Sequence, residues 1–210
     1  MDTPSRRTGR PLSFDRDAAL RQAMLTFWRH GYETTSVPDL TAAMGINAPS
    51  LYAAFGDKKR LFLEAVRLYA GDPADMERTI VAAPTAYQAA HDLMAAAATN
   101  YTGEATPRGC LLASATASGS AAAADVRHAV ADMRRGIESC LRVRIERDIE
   151  DGVLPQGTQA APLAGLVLAV TQGMSVLARD GASRTSLLAM IEAVLRAWPS
   201  VKADDQAPVR

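Results

Sequence analysis

Cysteine is nearly absent. Cys110 and Cys140 are the only two in 210 residues, too few for a disulfide scaffold or a thiolate metal cluster. The three histidines, His30, His91 and His128, show no spacing that sets two ligands one helical turn apart. Neither a metal nor another cofactor is expected. Long apolar runs are also missing. The longest lies near residues 163–170, far short of the roughly 20 residues of a membrane-spanning helix. No apolar run follows the Ser/Arg/Pro-rich N-terminus, as a signal peptide would require. The expected setting is cytoplasmic and reducing, away from membranes. No convincing strand pattern and no internal repeat is found. No nucleophile–base pair or phosphate loop stands out, so an enzyme is not expected. The formal net charge is zero, which excludes a uniformly basic nucleic-acid binder.

What is present is unevenly distributed. Residues 1–70 carry 10 Lys/Arg against 7 Asp/Glu, and the remainder carries 13 against 16. A basic head on an acidic body fits a small DNA-reading unit joined to a part that does not touch DNA. Residues 1–13 hold Arg6, Arg7, Arg10, Gly9 and Pro11 without periodicity and read as a flexible basic arm. A first helix is predicted from Asp15, with Leu20, Ala23, Met24 and Phe27 at helical spacing and Gly31 as its stop.

The next stretch is the most informative. Ser36 is a natural N-cap with Asp39 three residues on, Pro38 sits in the first turn, and Val37, Leu40 and Met44 form a buried stripe. Gly45 supplies a left-handed turn, Ile46 plugs the core, and Asn47 caps a third helix running through Leu51 to about Ala54. Gly56 and Asp57 lead into a fourth helix with Leu61, Phe62, Ala65, Val66, Leu68 and Tyr69. Two short helices around a tight glycine turn, with helices before and after, are the layout that places the second short helix in the DNA major groove.

Gly71, Asp72 and Pro73 form a strong breaker and an expected domain boundary. The body still reads as helical: a face from Tyr87 to Tyr101, a break at Gly103 and Pro107–Gly109, and a short segment from Cys110 to about Ser118. A long amphipathic helix over 125–151 follows. An apolar helix over 160–179 and a last helix over 184–198 complete it. The predicted class is all-α with about nine helices. The predicted units are an arm (1–13), a helix-turn-helix domain (14–57), a connecting helix (58–71), a helical domain (72–200) and a disordered tail (201–210).

Gly31, Tyr32, Thr34, Thr35 and Ser36, followed by Gly45, Ile46, Asn47, Ser50, Leu51, Tyr52, Phe55, Lys58, Leu61 and Phe62, resemble the TetR family of transcriptional regulators. The resemblance covers roughly residues 15–70, and Arg108–Leu112 resembles a segment of one branch's regulatory domains. It implies a homodimeric repressor of a palindromic double-stranded DNA operator, with an activator or a ligand-insensitive interaction module as alternatives. It further implies that the last two helices pair with their mates and the middle helices enclose a small-molecule pocket, making 72–200 a regulatory and dimerisation domain. Effector binding would then move the fourth helix and spread the two heads.

On that basis the DNA-contacting candidates are Thr35, Ser36, Asn47, Ala48, Pro49, Ser50, Tyr52, Lys58 and Arg10. Lys58 suits a phosphate, against a solvated lysine beside Lys59 and Arg60. Tyr52 packs its ring and reaches out with its hydroxyl, against a purely core tyrosine. Ser36 serves as both cap and phosphate donor. Ala48, Pro49 and Ser50 offer little hydrogen bonding, and Ala53 and Ala54 stand where many relatives carry polar residues. Shape readout and the arm then carry more of the recognition, with Arg6, Arg7 and Arg10 read as entering a flanking minor groove, against a disordered tail with no role.

The pocket candidates are Tyr101, Cys110, Met133 and Gln172, the last either facing ligand or lying on the dimer seam. The seam candidates are Leu166, Val170, Leu177, Leu188, Ile191 and Leu195. Cys110 is open between a small packing residue and a thiol sensor activated by nearby Arg108.

Overall fold

The computed structural model describes residues 14–114 and 123–200. The expected arm and tail, and residues 115–118 of the short segment after Cys110, lie outside the described residues. The described residues form ten helical segments and no strand.

The head is α1 (Arg16–His30), α2 (Val37–Met44), α3 (Ala48–Phe55) and α4 (Lys58–Ala70). Each starts where a short polar side chain replaces the missing intrahelical acceptor. Asp15 accepts from the amides of Asp17 and Ala18, Asn47 from Ser50, and Asp57 from Arg60. Ser36 and Asp39 form the expected reciprocal capping box. Gly45 ends α2 at φ +66°, a left-handed conformation that costs a side-chain-bearing residue about 1–2 kcal/mol. The head closes on Phe27, Leu40, Leu51, Leu61 and Phe62, all fully buried. The Phe27 and Phe62 rings meet edge-on at 5.0 Å. Each such side chain contributes about 1.5–3 kcal/mol on burial. Through Leu61, Phe62, Ala65 and Val66, α4 belongs to this core as much as it connects.

The body is α5 (Pro73–Ala82), α6 (Ala86–Tyr101), α7 (Leu111–Ser114), α8 (Ala124–Glu150), α9 (Ala160–Arg179) and α10 (Arg184–Leu195). The breaker at 71–73 starts a helix: Asp72 caps α5 and Pro73 occupies its first turn, where no amide is needed. α10 stops three residues before Trp198. α9 packs on α6 and α8, α10 on α6, and α5 on α8. Although its uninterrupted apolar run is short, α9 over its full length is long and apolar enough to cross a bilayer. Its Ala164, Val167, Met174 and Ala178 are buried against the protein core.

One buried ion pair fastens the turn between α5 and α6. Arg144 and Asp148 on α8 lie 2.5 Å apart with side chains 5% and 2% exposed. Asp148 also accepts from the Ala86 amide at 2.6 Å, while Arg144 donates to the Ala83 and Pro84 carbonyls.

Candidate nucleic-acid interface

Leu51 and Phe55, one turn apart on α3, face inward and are buried. Helical geometry therefore sends Pro49, Tyr52 and Ala53 outward, and all three are exposed, with Tyr52 at 50%. That exposure removes the purely core reading of Tyr52. Asn47 is exposed while its Oδ1 caps α3, and Ala48 and Ser50 are half-buried. A groove of about 460 Å³ runs under the turn between Phe14, Thr41, Gly45, Asn47 and Ser50. The outer face of α3 is small and apolar apart from the Tyr52 hydroxyl.

Lys58, at the start of α4, is held rather than free. Its Nζ donates to the Glu33 carbonyl at 3.3 Å and sits 4.7 Å from the centre of the Tyr32 ring. Tyr32 in turn packs edge-on against Phe62 at 5.0 Å. Burial pushes the Lys58 ammonium below its ordinary pKa, and Glu33 and Asp39 pull it back. Lys58 thus lies beside the start of α2, where Ser36 sits. The Ser36 hydroxyl is engaged with Asp39, donating at 2.6 Å and accepting from the Asp39 amide. The Ser36 hydroxyl and the Ser36 amide both donate to the Asp39 carboxyl and hold it below its ordinary value.

Thr35 departs from expectation. It is 1% exposed and donates to the Gly31 carbonyl at 2.6 Å. Its hydroxyl closes the loop between α1 and α2 and is not presented outward. Arg10 lies outside the described residues.

Residues 19–65 match the family model for the N-terminal domain of bacterial regulatory proteins of the tetR family, and residues 88–195 match a tetracyclin repressor-like C-terminal domain. The HTH-type transcriptional repressor ComR of Escherichia coli is 35% identical over 195 residues, covering 92% of this chain and 93% of ComR. The chain belongs to the TetR family.

Among solved structures, a cysteine-substituted CifR in complex with 26-bp double-strand operator DNA is 41% identical. The match has a TM-score of 0.84 and covers 91% of this chain and all of that one. A TetR transcriptional regulator from Rhodococcus sp. RHA1 is 36% identical, at TM-score 0.61 over 89% of this chain and all of that one. The protein is thus a transcriptional regulator with the family's two-part architecture.

In the C-terminal body the structure brings two of the four pocket candidates together. Tyr101 and Cys110 are both buried, and the Cys110 Sγ accepts from the Tyr69 hydroxyl of α4 at 3.3 Å. Burial, reinforced by the thiol, raises both phenols well above their ordinary pKa. Met133 and Gln172 are half-buried elsewhere on α8 and α9. Arg108 does not serve the thiol, because its guanidinium donates to the carbonyls of Ala178 and Ala182. With Cys110 itself 3% exposed, the packing reading is the better supported. Gly109 makes this approach possible: at φ +82°, a Cβ there would lie 2.9 Å from the Ser175 carbonyl and closer still to Arg179. Arg179 ties the parts together, donating to the Trp28 carbonyl of α1 and to Ser114.

Of the seam candidates, Leu166 and Leu177 are exposed and Val170 and Leu188 half-exposed. Ile191 and Leu195 are only 1% and 3% exposed. They face inward because α10 turns that side to α6. The outward side of α10 instead presents Met190 and Val194, which line an apolar cavity of about 470 Å³ with Val170, Gly173, Val176 and Leu177 of α9. Val170 and Leu177 were among the seam candidates, but the sequence reading did not name Gly173, Val176, Met190 or Val194 there, nor Tyr32 as the seat of Lys58 or Tyr69 at Cys110. Tyr32 was visible as part of the motif, but no spacing rule pairs it with a lysine 26 residues on.

Proposed function

We propose that this regulator is a homodimeric repressor that holds a palindromic operator and releases it on binding a small, mostly apolar molecule. The observation that carries the reading is the outward face of α3 flanked by the fixed cation of Lys58. Pro49 and Ala53 suit contact with thymine methyls, and the Tyr52 hydroxyl and Lys58 suit phosphates. Ser36, Asn47, Ala48 and Ser50 frame that surface, with Arg10 reaching a flanking minor groove. The CifR complexes with operator DNA support the same use of this fold.

Dimerisation is supported by the apolar side of α9 and α10, where Leu166, Val170, Val176, Leu177, Met190 and Val194 would be covered by a second copy. Two-fold symmetry in the protein then requires two-fold symmetry in the site. Effector coupling is supported by the contact of α4 with the body: a ligand that parts Tyr101 from Cys110 would disturb the Tyr69 bond and so move α4. Residues 14–57 would act as the DNA-reading unit, 58–71 as the link and 72–200 as the regulatory and dimerisation unit.

The test is selection of duplexes from a random pool by the purified full chain, followed by gel-shift titration. Enrichment of a palindrome bound by two protomers supports the reading, and a pool that stays random overturns it. A compound that shifts the melting temperature and lowers operator affinity supports effector control. A reporter with the site placed across the promoter, repressed by the protein, separates repressor from activator.

A further inference from the structure

We propose that Arg16 is a positioning residue for the recognition helix, setting the angle at which α3 meets DNA. The inference rests on α3 being the DNA-reading helix. Arg16 is the first residue of α1, where the helix dipole favours acidic residues and opposes a cation. The local sequence therefore gives no reason for an arginine. Its partners lie elsewhere. Nη2 donates to the Ala54 carbonyl of α3 at 3.3 Å and to Glu64 Oε2 of α4 at 2.6 Å. The guanidinium carbon stands 4.4 Å from the centre of the Phe55 ring.

The Ala54 carbonyl is among the last of α3, where intrahelical donors run out. α3 has no basic residue of its own in that turn, so Arg16 supplies the positive charge that a helix C-terminus favours. At eight residues, α3 is too short to be stable or rigid alone. Its N-terminal end is fixed by Asn47 and the Gly45 turn, and its middle rests on Leu51. Its other end is seated by the buried Phe55, and there Arg16 ties the Ala54 carbonyl to Glu64 on α4, a helix packed into the head core. A planar guanidinium that stacks on a ring while bonding a carboxylate and a carbonyl makes a contact lysine cannot reproduce. Loss of that tie lets the last turn of α3 shift, which displaces Tyr52 and Ala53 along the base edges while leaving Lys58, on α4, where it is.

The experiment compares wild type, Arg16→Ala, Arg16→Lys and Glu64→Ala on two duplexes across a salt series. One is the palindrome that wild type selects from a random pool, and the other a scrambled duplex of equal composition. A positioning role predicts that Arg16→Ala weakens the selected duplex about tenfold, the scale of losing one base pair's recognition. The scrambled duplex is weakened less than about twofold, and the salt slope is unchanged because phosphate contacts are intact. Arg16→Lys restores only part of the loss, and Glu64→Ala shifts the ratio the same way although it removes a negative charge. Equal loss on both duplexes, with the slope reduced by about 0.9 for each contact, makes Arg16 a direct phosphate ligand and overturns the proposal. A lower melting temperature with unchanged affinities on both duplexes overturns it too. If Arg16→Ala does not fold, Glu64→Ala carries the same comparison. A wild type that enriches no duplex refutes the DNA reading itself, and does so before any variant is made.

Discussion

Replacing Asp148 by Asn isolates one charge in the C-terminal body. Its carboxylate holds the Arg144 guanidinium at 2.5 Å and accepts from the Ala86 amide at 2.6 Å, with both side chains almost fully buried. Asparagine keeps an acceptor for Ala86 but turns an amide donor toward the guanidinium. Among the described residues, the Ala83 and Pro84 carbonyls are then the acceptors left to a buried cation. Breaking a buried pair from one side costs about 3–5 kcal/mol. The retained acceptor places this variant near the lower end, about 3 kcal/mol. For a chain of this size each kcal/mol moves Tm by about 2–4 °C, so a fall of about 6–12 °C is expected. Urea melts followed by circular dichroism, at one fixed protein concentration because association shifts apparent stability, give the free energy directly. Adding Arg144→Met to Asp148→Asn should recover at least half of the loss, because no unpaired charge remains. A loss under about 1 kcal/mol for Asp148→Asn, or no recovery in the double variant, would refute the view that this pair locks the α5–α6 turn onto α8.

Lys58→Met should reduce the slope of log affinity against log salt by about 0.9 per protomer, read by fluorescence anisotropy on the selected duplex, and an unchanged slope would remove Lys58 from the phosphate contacts. Leu177→Glu should turn the assembly into monomers with the fold intact, measured by light scattering and circular dichroism, whereas Ile191→Glu should unfold the chain because that side chain is inside the protomer. The Asp39 carboxyl is held below its ordinary value of 3.8 by the Ser36 hydroxyl and amide. Its contribution is therefore fully present above about pH 4 and is lost as pH falls through the depressed value. Asp39→Asn should flatten the acid limb of the stability curve there, and an identical limb in both proteins would show that the capping box does not carry it.

The head was legible because its determinants are local. Ser36 with Asp39, Asn47, Asp57 and Gly45 act on amides and backbone angles within a few residues, so helix starts and the turn follow from the order of residues alone. The same holds for α9, whose limits the apolar pattern marks on its own. Which side of a helix meets what is not local. Periodicity makes Ile191 and Leu195 look equivalent to Leu177, yet the path of α10 across α6 turns the first two inward and leaves Met190 and Val194 outside. Thr35 looks like a donor for DNA until the loop folds its hydroxyl onto Gly31. Arg108 looks like the partner of Cys110 by adjacency, while the partner that arrives is Tyr69, 41 residues away. The sequence by itself determined an all-helical fold with a helix-turn-helix head, because capping, turn chemistry and hydrophobic period are short-range. The tertiary structure alone decided which side chains are spent on the core and which are offered outward, because burial depends on contacts between residues distant in the chain.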